Sequence, residues 1–411
     1  MQEFLIFIYI VINIIIVVWY LSKRKIGVFA PPFLVASISL SVMLPQLTTI
    51  YFHPYYDKNL LYNLCYIMIT CNLALFIGFE KGCRRNLPSK IKEINIEKTK
   101  HLVFFFSLLG IGSLVTTGDG VIQANFRRFS EFAIIFSLVY FIKAKKPSII
   151  FIISFLIGTY IIVNYAFFIY GSRGYSLFLF IAIAYCCSLK FPKLRKCITI
   201  LMVLFLLVGS IISASIGAFR ENLVGQSGKK VDYYENFINS FKDSYTDVGM
   251  DLGNGAILID YCVRNNSYNY GTIVWNGFVY NYIPERFLGK GIKNELQYNA
   301  EYEKLIPLVT NNITTVTGYF EAFATWGYLG FFIFGIIGYL LGVIWERAFY
   351  SNFYKLLLIY SLGNVPLMIT HNLQYLFARW EMLLIFIFPI CYMYIYEKRR
   401  KYYIKQISIQ I

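Results

Sequence analysis

Groups that usually carry catalysis are scarce in this sequence. Its 411 residues include three histidines, His53, His101 and His371, and their spacing suits no metal. There is no phosphate-cradling GxxxxGK(S/T) motif, no GxSxG nucleophile elbow, no HExxH and no DxD in a hydrophilic loop. Metal and cofactor chemistry are therefore not expected. Eight cysteines include no CxxC pair. Most lie in or beside apolar runs and read as small packing residues, not as disulfides or ligands. Internal repeats, low-complexity tracts and linkers are absent, so residues 1–411 parse as a single domain.

Charge is also sparse, at 15% of residues against 58% hydrophobic. Several apolar runs reach roughly 20 residues, the length that crosses a hydrocarbon layer about 30 Å thick. A water-soluble core could not hide so many. The fold class expected is an all-α polytopic membrane protein with about eleven transmembrane helices. They fall at 4–22, 28–48, 59–80, 101–115, 130–143, 147–170, 174–190, 197–217, 323–346, 354–371 and 380–396.

The net charge of +16 does not point to nucleic acid, because the cations gather in short loops. Lys23, Arg24 and Lys25 follow the first span. The loop 81–100 carries seven more, among them Arg84, Lys90 and Lys92. Further groups are Lys143, Lys145 and Lys146, then Lys190, Lys193, Arg195 and Lys196, and a tail with Lys398, Arg399, Arg400, Lys401 and Lys405. Simple alternation of helices puts all of them on one side, which the positive-inside rule assigns to the cytoplasm. The other side then receives few short-loop cations: Lys58, Arg127, Arg128, Arg173 and Arg379. It also receives one long extracytoplasmic loop, 218–322, read as short helices resting on the membrane surface.

Five segments on that outer side have the chemistry for a site. In Gly171-Ser172-Arg173-Gly174 the glycines allow a tight reversal, Ser172 can cap the next helix, and Arg173 adds a fork of donors suited to phosphate. The alternative is an arginine that snorkels to lipid head groups. In "SIGAFRENL", Arg220 and Glu221 form either a solvated pair or an anion ligand with a proton acceptor beside it. Residues 268–299 join Trp and Tyr to Pro284-Glu285-Arg286, Lys290 and Lys293, a basic aromatic patch that also fits an interfacial helix. Glu321 lies near the apolar boundary, where an unpaired carboxylate is costly. Gly318, Gly327 and Gly330 near it suit close helix packing, the last two above all. His371, Arg379 and Glu381 fall in the last outer turn; His371 fits a structural hydrogen bond better than a base. Arg173, Arg220, Arg286 and Arg379 share one face although the chain's cations otherwise crowd the opposite one. A multiply charged anion held at the outer surface accounts for that.

The order of these motifs resembles the Wzy-type O-antigen polymerases, the oligosaccharide repeat-unit polymerases. The likeness rests on "YGSRG", on Arg220 at the start of the long loop, on "YGT…IPER" with Tyr270 within it, and on "GYFEAFATWGYLG" with Tyr319 at its end. It covers most of residues 165–340. The resemblance implies a GT-C-like glycosyltransferase in the bacterial inner membrane, its site facing the periplasm. The reaction would join repeat units carried on undecaprenyl pyrophosphate into O-antigen or capsular polysaccharide. It implies catalytic roles for Arg173, Arg220 and Arg286, and the residues themselves offer Glu221 or Glu321 as the catalytic base. A basic residue beyond the IPER element corresponds to Lys290, and Ser172, Tyr270, Tyr319, His371 and Arg379 are the further candidates for substrate contact that the segments themselves offer. Asp260 is a weaker candidate for the base. Glu285 stands where the family pattern has the arginine directly after proline. Membrane lipids, a chain-length regulator and a flippase are the partners it implies; nucleic acid is not among them. A lipid-linked oligosaccharide flippase and an O-antigen ligase are the competing readings. The absence of histidine between 218 and 322 favours polymerase over ligase.

Overall fold

A computed structural model describes residues 2–23, 26–52, 58–84, 90–115, 120–164, 173–207, 251–283, 285–298 and 317–399. Almost all of them are helical. Helices α1 (Gln2–Lys23), α2 (Pro31–Ile38), α3 (Leu44–Phe52) and α4 (Lys58–Cys83) come first. They are followed by α5 (Lys100–Val115), α6 (Gly120–Lys143), α7 (Ile149–Asn164), α8 (Arg173–Lys190) and α9 (Arg195–Leu207). Three short helices, α10 (Asp251–Asn265), α11 (Thr272–Tyr282) and α12 (Glu285–Glu295), represent the long loop. The chain ends through α13 (Gly318–Trp326), α14 (Phe331–Ala348), α15 (Asn352–Thr370), α16 (Gln374–Met382) and α17 (Phe388–Tyr392).

Among the described residues six helical segments are long and apolar enough to span a bilayer: 2–22, 31–52, 59–83, 96–115, 331–348 and 352–370. The protein is thus a polytopic helical membrane protein. The pair α8 and α9, bent by 119° around Phe191, adds up to one more, and α7 is a shorter apolar helix. Of the eleven expected segments, 147–170 and 197–217 run beyond the described residues, and three others have different bounds. The segment 323–346 breaks at Gly327, whose φ of +58° suits glycine and ends α13, so the span proper starts at Phe331. The segment 130–143 is the second half of a 24-residue helix that begins at Gly120 and carries Arg127, Arg128 and Glu131. The segment 31–52 stays continuous through a π-helical turn at Ser39–Met43.

Small residues set the closest packing. Helices α4 and α14 meet through Gly78, Gly82, Gly338 and Gly342. A Cβ at any of these would lie 2.2–2.3 Å from a carbonyl oxygen of the facing helix, so only glycine permits the approach. Gly318 and Gly330 play the same part, with a built Cβ 2.1 Å from the Met368 and Ala322 carbonyl oxygens. A polar network crosses the same bundle. Tyr319 OH donates to Asn72 Oδ1 (2.8 Å) and lies 3.0 Å from Ser39 Oγ, while Asn72 Nδ2 donates to Asn13 Oδ1 (2.9 Å). Every member is buried, so each hydroxyl and amide needs these partners.

One strand pair breaks the all-helical expectation. β1 (Lys90–Ile94) pairs antiparallel with β2 (Ile395–Arg399), Lys90 opposite Arg399 and Ile94 opposite Ile395. Cation-rich segments are thereby joined at one end of the molecule. Lys143 Nζ lies 3.5 Å from Glu93 Oε1, and Lys190 Nζ donates to the Ala144 carbonyl (2.9 Å) and to that of Phe141. Glu93 Oε2 also accepts the Asn352 N–H (3.1 Å). The opposite end collects the described part of the long loop: α10 packs on α3, α4 and α13, and α11 on α6, α13 and α16. Exposed Lys145 and exposed Tyr270 thus belong to opposite ends. In a chain whose exposed Cys197 is first replaced by serine, Lys145→Cys and Tyr270→Cys should react with an impermeant maleimide from opposite faces of sealed vesicles. Labelling of both from one face would break this topology.

Candidate functional site

The third turn of α6 places Arg127, Arg128 and Glu131 on one side of a helix otherwise rich in Phe and Ile, since residues three and four apart share a face. On α16, Tyr375 and Arg379 are likewise four apart. The two helices meet so that Arg379 Nη2 lies 3.4 Å from Glu131 Oε1. Both side chains are buried, at 6% and 2% exposure. A charge so enclosed is tolerated only when paired. The pairing is incomplete: Glu131 Oε2 and Arg379 Nε have no hydrogen-bond partner among the described residues. The Arg379 guanidinium also lies 5.6 Å from the Tyr375 ring centroid.

Arg128 is anchored from the loop side. Its Nη1 donates to Asn125 Oδ1 (2.9 Å) and to Tyr282 OH (3.4 Å), and its Nη2 donates to Asn281 Oδ1 (3.3 Å). Tyr282 OH in turn donates to the Ala378 carbonyl (2.7 Å), one residue before Arg379. Burial pushes the Tyr282 phenol up to about 12 against the pull of Arg128, so it remains a donor at neutral pH. Arg127 stacks on the Tyr175 ring at 4.6 Å, which ties the cluster to α8.

Between α6, α8, α15 and α16 lies a narrow crevice with room for about a single water molecule. Glu131, Arg379, Gly174, Tyr175, Asn364 and Leu367 line it. Helix α8 begins at Arg173, so its N-terminal end abuts this crevice. A Cβ on Gly174 would come within 2.9 Å of Leu367, so glycine lets α8 approach α15 here. Three guanidiniums outnumber the Glu131 carboxylate in the described cluster, beside the start of a helix. Such an assembly favours an anion.

The residues singled out in the sequence divide into groups. Arg379 sits in the crevice, with the backbone of Arg173 at its edge. Only the backbone is described for Arg173 and for Arg286, which lies in the first turn of α12. Ser172, Arg220 and Glu221 lie outside the described residues. Glu321 is 5% exposed, and its Oε2 accepts the Leu373 N–H at 2.5 Å, capping the start of α16. Tyr319 is fully buried in the polar network of the bundle. His371 Nδ1 lies 2.9 Å from Thr370 Oγ1, with its ring edge-on to Tyr375 at 5.1 Å. Lys290 is exposed, as is Tyr270, which takes a positive φ of 48° in the turn before α11. Asp260, partly buried, forms an i,i+4 pair with exposed Arg264 at 2.7 Å. Sequence reasoning missed Glu131 altogether. The available signal was the R-R-x-x-E spacing of Arg127, Arg128 and Glu131 within an apolar helix. Comparison with protein-family models, with curated proteins and with solved structures yields no match.

Proposed function

We propose that the chain polymerises undecaprenyl-pyrophosphate-linked oligosaccharide repeat units into O-antigen or capsular polysaccharide at the outer face of a bacterial inner membrane. The observation that carries this reading is the convergence of Arg127, Arg128 and Arg379, with the start of α8 at Arg173, at the end opposite the cation-rich loops. Outside the cytoplasm no nucleotide sugar is at hand, so the donor must arrive activated. A polyprenyl pyrophosphate is such a leaving group. Arg173, Arg220, Arg286 and Arg379 hold the diphosphate and offset the charge that grows on it as the anomeric bond breaks. A carboxylate, Glu221 or Glu321, takes the proton of the acceptor hydroxyl. Glu321 must then release the Leu373 amide or accept the proton through its other oxygen.

A transporter of lipid-linked oligosaccharides is the second reading. The buried Glu131–Arg379 pair favours it, because ionisable groups within a helical bundle often mark a translocation path. Purified protein given a purified lipid-linked repeat unit decides between them. The polymerase reading expects a ladder of longer lipid-linked products without ATP. Arg173→Ala and Arg220→Ala should cut the rate on the order of 100-fold or more. Normal ladders from both variants would remove those roles. Movement of the repeat unit across the bilayer without elongation would support the transporter.

A further inference from the structure

The crevice between α6, α8, α15 and α16 holds two unused hydrogen-bonding atoms. Glu131 Oε2 is a buried acceptor and Arg379 Nε a buried donor, and neither has a partner among the described residues. Both residues line the crevice. The contact between them, Arg379 Nη2 to Glu131 Oε1 at 3.4 Å, keeps donor and acceptor side by side. Asn364 in the same lining is tied to its own helix, its Nδ2 donating to the Tyr360 carbonyl (2.7 Å). Buried polar atoms are rarely left unpaired, so an exception in matched donor and acceptor points to a ligand or a water between them.

The space is the size of one oxygen-bearing group. That group must donate to a carboxylate and accept from a guanidinium at once. A phosphate oxygen only accepts, and would face Glu131 Oε2 with no proton between them. An ammonium only donates, and would meet the Arg379 N–H. A hydroxyl does both. The remaining lining is apolar or aromatic, with Tyr175, Tyr375 and Leu367, the kind of wall that leaves orientation to a few polar groups. The Tyr175 ring is held by the Arg127 guanidinium at 4.6 Å and the Tyr375 ring by that of Arg379 at 5.6 Å.

We propose that the crevice takes one hydroxyl of the oligosaccharide, whose O–H donates to Glu131 Oε2 and whose oxygen accepts from the Arg379 Nε–H. The assignment rests on the substrate class proposed above, a lipid-linked oligosaccharide, and not on polymerisation, since a transporter would bind the same molecule. Arg379 also holds the diphosphate in that reading, so the hydroxyl belongs to a sugar beside the diphosphate. Glu131 thereby becomes a specificity residue. A site built to hydrogen-bond a hydroxyl strongly rejects the analogue that lacks it, because its buried groups are then left unpaired.

Native mass spectrometry of the full chain tests this with three lipids. They are undecaprenyl pyrophosphate, the purified lipid-linked repeat unit, and a synthetic repeat unit whose sugar hydroxyls are O-methylated. The wild type should bind the native repeat unit at least about tenfold tighter than either of the others. Glu131→Leu with Arg379→Met weakens all three, and its preference for the native repeat unit should fall below about twofold. Should that variant not fold, Glu131→Asp decides. It keeps a carboxylate for Arg379 but withdraws the acceptor by one methylene, and should lower the preference at least about threefold. A preference unchanged in the variant that folds, or equal binding of native and O-methylated repeat units by the wild type, overturns the subsite and leaves the crevice to a water molecule. A wild type that binds none of the three lipids removes the substrate class itself, and this subsite with it.

Discussion

Arg379→Ala and Glu131→Ala are each expected to destabilise the protein by about 3–5 kcal/mol, because each leaves a buried charge without its partner. The double variant Glu131→Leu with Arg379→Met should recover most of that loss, since apolar side chains of similar volume replace the pair and no charge is stranded. Recovery of the fold should not bring back polysaccharide. If Arg379 Nε and Glu131 Oε2 face a ligand, the double variant remains down on the order of 100-fold or more in chain extension while unfolding near the wild-type temperature. Thermal unfolding of the purified protein and in vitro extension of a lipid-linked repeat unit separate the two effects. A double variant that is both stable and active would reduce the pair to a structural feature. The design uses an asymmetry of buried ions: deleting one is costly, whereas deleting both is cheap. It thus distinguishes a residue kept for the fold from one kept for a ligand.

Gly338→Ala should unfold the bundle far more readily than Gly335→Ala, although the two lie on neighbouring turns of α14. At Gly338 the new Cβ would sit 2.3 Å from the Leu75 carbonyl oxygen and 3.0 Å from two further backbone atoms of that residue. Backbone cannot rotate away as a side chain can. The helices must separate by about 1 Å, which also loosens the contacts at Gly78, Gly82 and Gly342. Overpacking of this kind costs about 3 kcal/mol or more. At Gly335 the nearest atoms, in Ala74, are 3.8 Å away, an ordinary contact. There alanine should be neutral or stabilising by up to about 1 kcal/mol, as it is the better helix former. The midpoint of thermal unfolding in one detergent checks both. Equal losses at the two positions would show that the helices do not meet in this register.

Hydropathy revealed the helical membrane class, and the distribution of lysine and arginine picked out loops of one end, which hydrogen bonds then join, as between Lys190 and Ala144. These properties are local or additive along the chain, so they survive without a structure. The site was less legible. The segment 130–143 leaves Arg127 and Arg128 outside and holds Glu131, and ionisable groups are costly in a helix that crosses a bilayer. That cost is offset by partners far off in sequence: Glu131 meets Arg379 across 248 positions. No window along the chain reports such a pair. Tyr319 shows the converse. Its motif looked like a ligand contact, yet its hydroxyl is bound by Ser39 and Asn72 inside the bundle. The break at Gly327 could have been read from two glycines within four residues, Gly327 and Gly330. The strand pair could not, because neither short segment pairs until the other is near. Arg173 was legible in one respect: a glycine beside it, Gly174, lets α8 approach the helix that carries Leu367.

The pairing of β1 with β2 also sets an order of events during synthesis. Residues 90–94 leave the ribosome about 300 positions ahead of residues 395–399. At ~5–20 residues per second this is an interval of roughly 15–60 s. Throughout it the early strand has no β2 to receive its backbone hydrogen bonds, and Lys90 and Lys92 discourage it from adding to a neighbouring chain. This clasp closes only once the last membrane helix has been delivered, so its formation marks the completion of insertion.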